Sequence, residues 1–572
     1  MKKPDLTVGD QIDVLEKKAL QGRISRRDLL RSLAALGVTA TSALSLADHA
    51  EAAWANQKAR RASLRDEYDY IIVGVGSSGC VLANRLSASG ASVLAIEAGS
   101  DRIDQPKIDE AIRWIENPFT DTYWSRFTEP QAALDNRSLL AGSGTIWGGS
   151  GSICAMICLR GDIRDYARWH QLVGSEWNPA ALRRAYLRTE TYLPGDRPHR
   201  GQHGPLIVSR FSEDYVLTPA YLDAGRELGL REIDNNSGGF LDGVSISEAH
   251  VTAEGRRSGP AQGYLVPALA RPNLTVLSNT LVNSLVLRGS RCRGVNTVVD
   301  GAPRTFRAAR EVLLCAGALE SPKLLMLSGI GSEEQLAPFR IPLRHQLRAV
   351  GQSFHDHVLL YNFLLKARST LPPPVSNSMG AFAYFRTNPI TSAPNIELMC
   401  GTMPFFTDAL PLGEGFNIVP LLVKPRSRGT VSLTSNDPLQ PLKIDPHYLE
   451  DPQDLDDMVT ALDRCLAVSQ TQALRPFTTG LFSQTPLRTR EEKVAFIAAN
   501  GGSGFHQVGT CAAGRNPASS VVDAGFRVWG VDNLRIVDGS VIPEVPAVNT
   551  HAPILTLAEL AAELMGFAPG YR

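Results

Sequence analysis

A glycine-rich segment close to residue 75 has the residue types and spacing of a phosphate-binding loop. Residues 74–79 read Gly-Val-Gly-Ser-Ser-Gly, and Glu97 follows 18 residues after the last glycine. In this pattern Gly74 permits a sharp turn, Gly76 lets the backbone approach a pyrophosphate, and Gly79 lets a helix pack closely on a strand. A carboxylate at the position of Glu97 accepts hydrogen bonds from ribose hydroxyls. The spacing therefore predicts a dinucleotide site.

The residues around this loop predict the elements that position it. Residues 69–73 form a short run rich in β-branched side chains, which is typical of a buried parallel strand. Residues 78–86 have helical spacing, Gly90 ends that helix, and residues 91–97 form a second strand. The N–H groups at the start of the helix would face the phosphates. No second GxGxxG stands between a strand and a helix, so we expect one nucleotide; the unit alone leaves FAD and NAD open.

Two C-terminal histidines stand in sequences that suit chemistry. His506 lies among glycines, with residues 501–504 before it and Gly509 after it, and His551 precedes an apolar helical run to Leu560. Histidine is the usual general base near neutral pH. With 11 histidines in the chain, composition alone leaves a structural role open for either residue.

Composition limits the class of protein. The chain has 572 residues, which is long enough for several domains, with 43% hydrophobic and 20% charged residues and a formal net charge of +0. This balance argues against a nucleic-acid partner, so we expect small-molecule partners. The eight cysteines show no CxxC or zinc spacing, which favours small buried side chains and predicts no metal site.

The first residues resemble an export signal. Ser25-Arg26-Arg27-Asp28-Leu29-Leu30 is similar to a twin-arginine motif, and a modestly apolar stretch and small residues near 50–55 follow it. The apolar stretch is too short for a membrane span. We expect residues 1–55 to be signal and linker and the protein to be periplasmic or otherwise exported; an ordinary N-terminal helix in a cytoplasmic protein is the alternative.

Three further regions carry glycines and polar residues in a fixed order. They are Trp147–Met156, continuing through Arg160–Asp162 and Asp165–Tyr166; Gly317–Pro322, continuing to Gly331; and the C-terminal segments His506–Thr510, Val537–Ser540 and Asn549–Pro553. Together with the nucleotide unit, they resemble the motifs of the glucose–methanol–choline oxidoreductases, a family of FAD enzymes.

The resemblance implies an α/β (α+β overall) fold with two functional parts. We expect a Rossmann-like FAD-binding domain over residues 66–345 and a substrate-binding domain, built on an antiparallel sheet with helices, over 346–500. Residues 501–572 would return to the FAD domain. Within 346–500, residues 395–399 and 417–422 alternate as strands do. Met403, Phe405 and Phe406 are expected either to line the substrate pocket or to belong to the core.

The resemblance also implies the contacts of the cofactor. Glu97 would contact the adenosine ribose, Gly76 with its two serines the pyrophosphate, and Val282 the adenine. The loop from Gly148 would lie along the flavin. The full set of expected cofactor residues is Gly74, Gly76, Ser77, Ser78, Gly79, Glu97, Gly148, Gly149, Ser150, Cys154, Val282, Asp538, Gly539 and Thr550.

Two positions refine this expectation. Cys154 stands where the family usually has an Asn that helps to shape the flavin pocket. Some members attach the flavin covalently through a His in the same loop, but residue 153 is Ile, so we expect non-covalent FAD. His355-Asp356-His357 stands where Gln-Asp-His is often found, and we interpret this triplet as structural or interdomain.

By resemblance, the reaction is oxidation of an alcohol. His506 would be the general base facing flavin N5, and His551 would hydrogen-bond the substrate oxygen. A primary alcohol of apolar or aromatic character is the expected substrate, with oxygen or an electron carrier as the acceptor. Two other functions remain open: a hydroxynitrile lyase that keeps FAD without net redox, and a non-catalytic flavin-binding protein.

Overall fold

The computed structural model describes residues 8–20, 23–210, 213–236, 239–388, 391, 393–405, 407, 409–483 and 485–567. Residues 1–7 and 21–22 of the predicted export segment, Phe406, and residues 568–572 lie outside this set. The α-helices of the described residues are α1 (Val8–Leu20), α2 (Arg26–Ala35), α3 (Ala40–Ala62), α4 (Ser77–Ala88), α5 (Pro106–Asp109), α6 (Ile163–Leu172), α7 (Pro179–Thr189), α8 (Leu217–Glu227), α9 (Gly317–Leu327), α10 (Glu333–Leu336), α11 (Pro452–Ser469), α12 (Arg490–Asn500) and α13 (His551–Leu564).

The strands belong to two large sheets and several two-stranded ladders. They are β1 (Glu67–Val73), β2 (Val93–Ile96), β3 (Tyr123–Trp124), β4 (Ser143–Gly144), β5 (Glu190–Tyr192), β6 (Leu206–Val208), β7 (Val244–Ile246), β8 (Leu274–Leu277), β9 (Val282–Arg288), β10 (Arg291–Val299), β11 (Ala302–Leu314), β12 (Ile330–Gly331), β13 (His345–Gln346), β14 (Val358–Leu360), β15 (Leu364–Ala367), β16 (Met379–Phe385), β17 (Ile396–Gly401), β18 (Gly415–Leu422), β19 (Thr430–Ser432), β20 (Lys443–Asp445), β21 (Thr478–Leu481), β22 (Gly501–Ser503) and β23 (Leu534–Ile536).

The first sheet carries the nucleotide unit. Its order is β8-β2-β1-β11-β10-β9, with β23 beside β11; the pairs among β8, β2, β1, β11 and β23 are parallel. Residues 70–73 of β1 are almost entirely buried, as expected for an inner strand of a parallel sheet, and α4 packs against β1 and β2. The predicted order of strand, helix and strand is confirmed by β1, α4 and β2, and the mixed α/β fold is confirmed as well.

The second sheet is antiparallel. Its order is β21-β15-β18-β17-β16-β7, and β14 pairs with both β18 and β22. The strands predicted at 395–399 and 417–422 are confirmed as β17 and β18, which are buried along their whole length. Helices α8 and α11 pack on this sheet.

The chain crosses from the second sheet to the first near its C-terminus. Strand β22 extends the antiparallel sheet, β23 then joins the parallel sheet, and α13 packs against α4. His506 follows β22, and His551 is the first residue of α13. This crossing places them between the two sheets.

The N-terminal helices lie against an edge of the first sheet. Helix α3 spans both sides of residue 55, and its Gln57 donates to the carbonyls of Leu269 and Leu274 and accepts from the N–H of Val276. The side chain of Gln57 thereby occupies backbone groups of β8, the edge strand. Within the part of the chain that the structure describes, no helix is long and apolar enough to cross a membrane.

Candidate active site

The phosphate-loop glycines are required by close backbone contacts. Gly74 has φ +92°, and a Cβ added to it would lie 2.6 Å from the Cys315 carbonyl oxygen. A Cβ at Gly79 would lie 2.0 Å from the Gly74 carbonyl oxygen, so Gly79 lets α4 pack on the turn after β1. Gly79 therefore has the packing role that its spacing predicts, and it does not line the cavity described below.

The start of α4 and Glu97 form one polar rim. Helix α4 begins at Ser77 with Gly76 as its N-cap and no side-chain cap, so its first N–H groups are free for an anion. The two carboxylate oxygens of Glu97 accept from the N–H groups of Val75 and Gly99, each at 2.8 Å. Each oxygen keeps a further lone pair for a hydroxyl donor.

Burial raises the pKa of Glu97 to about 7. Because the ordinary value is 4.5, the folded cofactor-free protein holds this proton more tightly than the unfolded chain does. Its contribution to stability is complete below pH 4.5 and is lost as the pH rises through 7, a change of about 3 kcal/mol.

We therefore expect Glu97→Gln to improve relative to wild type as the pH rises. Thermal unfolding of the cofactor-free proteins between pH 5 and pH 8 measures this, and any fixed packing effect of the amide cancels in the comparison. Glu213→Gln, at an exposed carboxylate, is the control and should show no such trend. A difference between Glu97→Gln and wild type that stays constant with pH would contradict the assignment.

A second glycine loop lies directly on the first. The N–H of Gly148 donates to the Val75 carbonyl at 2.7 Å. Gly149 has φ +55°, and a Cβ added there would lie 2.9 Å from the Gly76 Cα. A Cβ at Gly151 would lie 2.8 Å from His551 Nε2. The absence of side chains at these positions leaves a cradle in which a flat group fits against bare backbone.

Asp538 links the start of α9 to the segment that follows β23. Its Oδ2 accepts from the Gly317 N–H and the Ser321 hydroxyl, and its Oδ1 accepts from the N–H and the hydroxyl of Ser540. These bonds fix the start of α9 against Gly539. Asp538 lines the cavity, but both of its oxygens are already engaged within the protein.

His506 is held by three hydrogen bonds. Its backbone N–H donates to Asp356 Oδ1 at 2.7 Å, its Nδ1 lies 2.9 Å from His357 Nδ1, and its Nε2 lies 3.1 Å from Asn549 Nδ2. Burial lowers the pKa of His506 to about 3. The imidazole is therefore neutral at physiological pH and has a lone pair to accept a proton.

His551 presents free polar atoms to the same cavity. Both of its ring nitrogens and Asn549 Oδ1 are buried without a hydrogen-bond partner. Burial, together with nearby His250 and Arg257, lowers the pKa of His551 well below its ordinary value. Orphaned polar atoms at one place in a folded protein indicate a ligand that satisfies them.

The sulfur of Cys154 contacts a backbone N–H group and a buried arginine. Its Sγ accepts from the Met156 N–H at 3.4 Å and lies 3.8 Å from Arg257 Nη1. Arg257 is fully buried and also donates to the carbonyls of Gly151 and Cys154. A guanidinium thus supports the loop on the side where Cys154 replaces the family's usual Asn.

One cavity brings the predicted site residues together. All of them line it except Gly79 and Gly148. Gly79 packs against Gly74, and the Gly148 N–H donates to the Val75 carbonyl, so both support residues that line the cavity. Sequence reasoning missed His357 and Asn549, which flank the ring of His506. Asn549 stands within a segment already singled out, and its place two residues before His551 was the available signal.

The apolar end of the cavity decides between the two roles that the sequence left open for Met403 and Phe405. Its lining includes Trp114, Met156, Leu359, Met379 and Met399. Met403 and Phe405 lie in the core behind this wall and do not line the cavity. Phe406 lies outside the described residues.

The residues present fit FAD. A helix N-terminus and two bare-backbone loops suit the pyrophosphate, and Glu97 suits a ribose. The cradle beside His506 and His551 suits a flat ring system that continues from the same dinucleotide. Val282, buried at the start of β9, lines the same cavity, and the resemblance places adenine beside it.

The fold and the site together define an FAD-dependent oxidoreductase, of the class that acts on CH–OH donors. Residues 68–359 and 425–558 match the two family models described as GMC oxidoreductase. The chain belongs to the GMC oxidoreductase family.

Relatives of known type cover almost the whole chain. Mitochondrial choline dehydrogenase of Mus musculus is 32% identical over 88% of this chain and 90% of its own length. Alcohol dehydrogenase [acceptor] of Pseudomonas putida is 30% identical over 87% of this chain and 95% of its own length. The crystal structure of pyridoxine 4-oxidase from Mesorbium loti superimposes with a TM-score of 0.82 at 30% identity, covering 88% of this chain and all of that one.

Proposed function

We propose that this enzyme oxidises an uncharged primary alcohol of apolar or aromatic character to the carbonyl compound. The observation that carries the proposal is the convergence of the two imidazoles on a cavity whose far end is apolar. Among the described residues that line the cavity, the carboxylates and the lysine are Glu97, Glu320, Lys323 and Asp538. All four belong to the side of the first sheet and helix α9, so the described residues that line the substrate end carry no formal charge.

The proposed chemistry needs a proton acceptor and a hydride acceptor. FAD, when bound, accepts the hydride at its N5. The residues of this chain do the rest: neutral His506 takes the hydroxyl proton at Nε2, and a ring N–H of His551 hydrogen-bonds the substrate oxygen as negative charge develops on it. The apolar wall excludes water, which strengthens that hydrogen bond.

We also propose that FAD is held without a covalent bond. Ile153 occupies the loop position where a histidine would be needed, and its side chain is buried. Release of all flavin on acid precipitation of the protein supports this proposal, and retention of flavin in the pellet contradicts it.

An anaerobic stopped-flow screen tests the substrate class. Flavin bleaching is followed with benzylic and aliphatic primary alcohols, choline and sugars at equal concentrations. We expect the uncharged apolar alcohols to reduce the flavin at least about tenfold faster than choline, because a cation loses its hydration in an apolar pocket without gaining a partner. Choline or a sugar as the fastest substrate would overturn the proposed class.

The same experiment separates the competing functions. A lyase would turn over its substrate and leave the flavin oxidised, and a non-catalytic protein would leave it oxidised with no product. Oxygen readmitted to the reduced enzyme then shows whether oxygen or a separate carrier is the acceptor, since an oxidase is reoxidised at once.

We further propose that the protein is exported through its twin-arginine motif. Arg26 lies at the first position of α2, where it pairs with Asp48 and Glu51, and it is more than a third exposed. Such export carries folded proteins, which suits an enzyme that must first bind FAD.

The export proposal predicts that conservative changes at one pair of residues retain the protein inside the cell. In a bacterial host with a twin-arginine pathway, Arg26→Lys with Arg27→Lys should leave most of the protein in the cytoplasmic fraction. Arg31→Lys, an exposed change on the same helix, is the matched control and should be exported like wild type. Equal export of all three proteins would refute the proposal.

A further inference from the structure

A histidine outside the predicted site contacts the ring of His506. His357 is fully buried directly before β14, and its Nδ1 lies 2.9 Å from His506 Nδ1. Its other ring nitrogen, Nε2, lies 3.0 Å from the Pro546 carbonyl oxygen. The two rings are nearly perpendicular, with their centroids 4.8 Å apart.

The carbonyl oxygen determines where the protons are. Since a carbonyl can only accept, the Pro546 oxygen requires a proton on His357 Nε2. Burial, together with the nearby His506 ring and Lys424, lowers the pKa of His357 well below its ordinary value, so the ring is neutral and its Nδ1 carries a lone pair. His506 Nδ1 must then be the protonated partner of the pair.

The same assignment fixes the reactive nitrogen of His506. In a neutral imidazole only one nitrogen carries a proton, so a proton on Nδ1 leaves Nε2 with the lone pair. The Asn549 amide donates to this lone pair at 3.1 Å in the structure, which agrees with the tautomer, and the substrate hydroxyl would replace the amide as the donor. His506 Nε2, Asn549 and His551 all face the cavity.

The position of His357 is itself tightly constrained. Its carbonyl accepts from the Gly504 N–H at 2.8 Å, and a Cβ added to Gly504 would lie 3.0 Å from both the Cβ and the carbonyl oxygen of His357. Across the described residues, no carboxylate is hydrogen-bonded to the ring of His506; Asp356 accepts from the backbone N–H of His506 and from the hydroxyls of Ser503 and Tyr448. The protein therefore orients the ring through His357 at Nδ1 and Asn549 at Nε2.

We propose that His357 is a positioning residue that holds His506 as the Nδ1–H tautomer, with Nε2 directed at the substrate as the base. The proposal rests on the function proposed above. Because His357 is neutral, it sets the orientation and tautomer of His506 without adding the negative charge that a carboxylate partner would bring.

The direct test measures protonation, independently of turnover. In FAD-loaded wild-type enzyme labelled with ¹⁵N-histidine, His506 should show a protonated Nδ1 and an unprotonated Nε2, with assignment by loss of the signals in His506→Gln. The reverse tautomer in wild type would overturn the proposal even if no His357 variant folds.

A pair of variants tests the consequence for catalysis. His357→Leu removes the acceptor, and we expect flavin reduction to slow about tenfold to a hundredfold, less than on removal of the base, with substrate affinity nearly unchanged. His357→Asn places an amide oxygen close to the position of Nδ1, so both the tautomer and most of the rate should return. Equal rates in His357→Leu and wild type, or equal losses in the two variants, would overturn it.

His345 supplies a matched control. Its Nε2 also lies 2.9 Å from a backbone carbonyl oxygen, that of Trp529, but it is remote from the cavity. His345→Leu should leave both the ¹⁵N signals of His506 and the rate unchanged. His506 could show the expected tautomer in wild type while His506→Ala still reduces flavin at the normal rate. That result would contradict the proposed function of His506 as the base and leave the assignment of its tautomer to His357 intact.

Discussion

Replacing His506 with alanine is expected to slow reduction of the flavin by substrate about a thousandfold while FAD remains bound. A positioned general base contributes a factor of roughly 10²–10⁴ to a proton transfer, and His506 Nε2 is the only unprotonated histidine nitrogen that we assign to this task. His357 cannot substitute, because its Nδ1 faces the ring of His506 and its Nε2 is bound to the Pro546 carbonyl.

The rate constant at saturating substrate is the quantity that decides this prediction. Anaerobic stopped-flow bleaching gives it directly, and the ratio of flavin to protein absorbance reports retained FAD. His203→Ala, an exposed histidine, is the control and should match wild type. If His506→Ala bleached at the wild-type rate, the base would have to be sought elsewhere in the cavity.

Local patterns predicted those parts of the fold whose residues are close in sequence. The run at 69–73 and the glycines at 74–79 lie within one supersecondary unit, so spacing alone determines which glycines meet which backbone groups. Gly74 and Gly79 contact each other at the tight turn between β1 and α4. For the same reason, the alternating side chains at 395–399 and 417–422 were enough to predict β17 and β18.

Contacts between distant segments were not accessible in this way. His357 and His506 are 149 residues apart, and they meet because β14 and β22 pair in the second sheet. Neither strand has a sequence that specifies its partner. The triplet at 355–357 is therefore interpreted as structural or interdomain, which fits His355, bound to Ser353 and Val545, but does not reveal the contact of His357 with the ring of His506.

The sequence left open which side chains form the apolar wall, for a related reason. Met399 and Met403 are four residues apart, but Met399 belongs to β17 and Met403 to the turn beyond it. Along a strand the side chains alternate between faces, and after the strand ends that rule no longer indicates direction. Hydrophobicity identified the right region and could not say which methionine reaches the cavity.

The second large effect is expected at Gly149, where alanine should weaken FAD binding. The added Cβ would lie 2.9 Å from the Gly76 Cα, closer than two carbons approach without displacement of the backbone. Gly76 is the N-cap of α4, so its displacement would also move the N–H groups that face the pyrophosphate. We expect the dissociation constant for FAD to rise at least about tenfold, which corresponds to about 1.4 kcal/mol.

Gly289 separates this steric effect from backbone strain. Its φ of +58° nearly equals the +55° of Gly149, but nothing lies within 4 Å of an added Cβ in its exposed turn. Alanine at either position therefore carries the same left-handed cost of roughly 1 kcal/mol, and only Gly149→Ala adds the contact with Gly76. FAD titration of both cofactor-free variants, with circular dichroism to verify folding, measures the difference. Should Gly149→Ala bind FAD as tightly as Gly289→Ala, the two glycine loops cannot be the cradle of the cofactor.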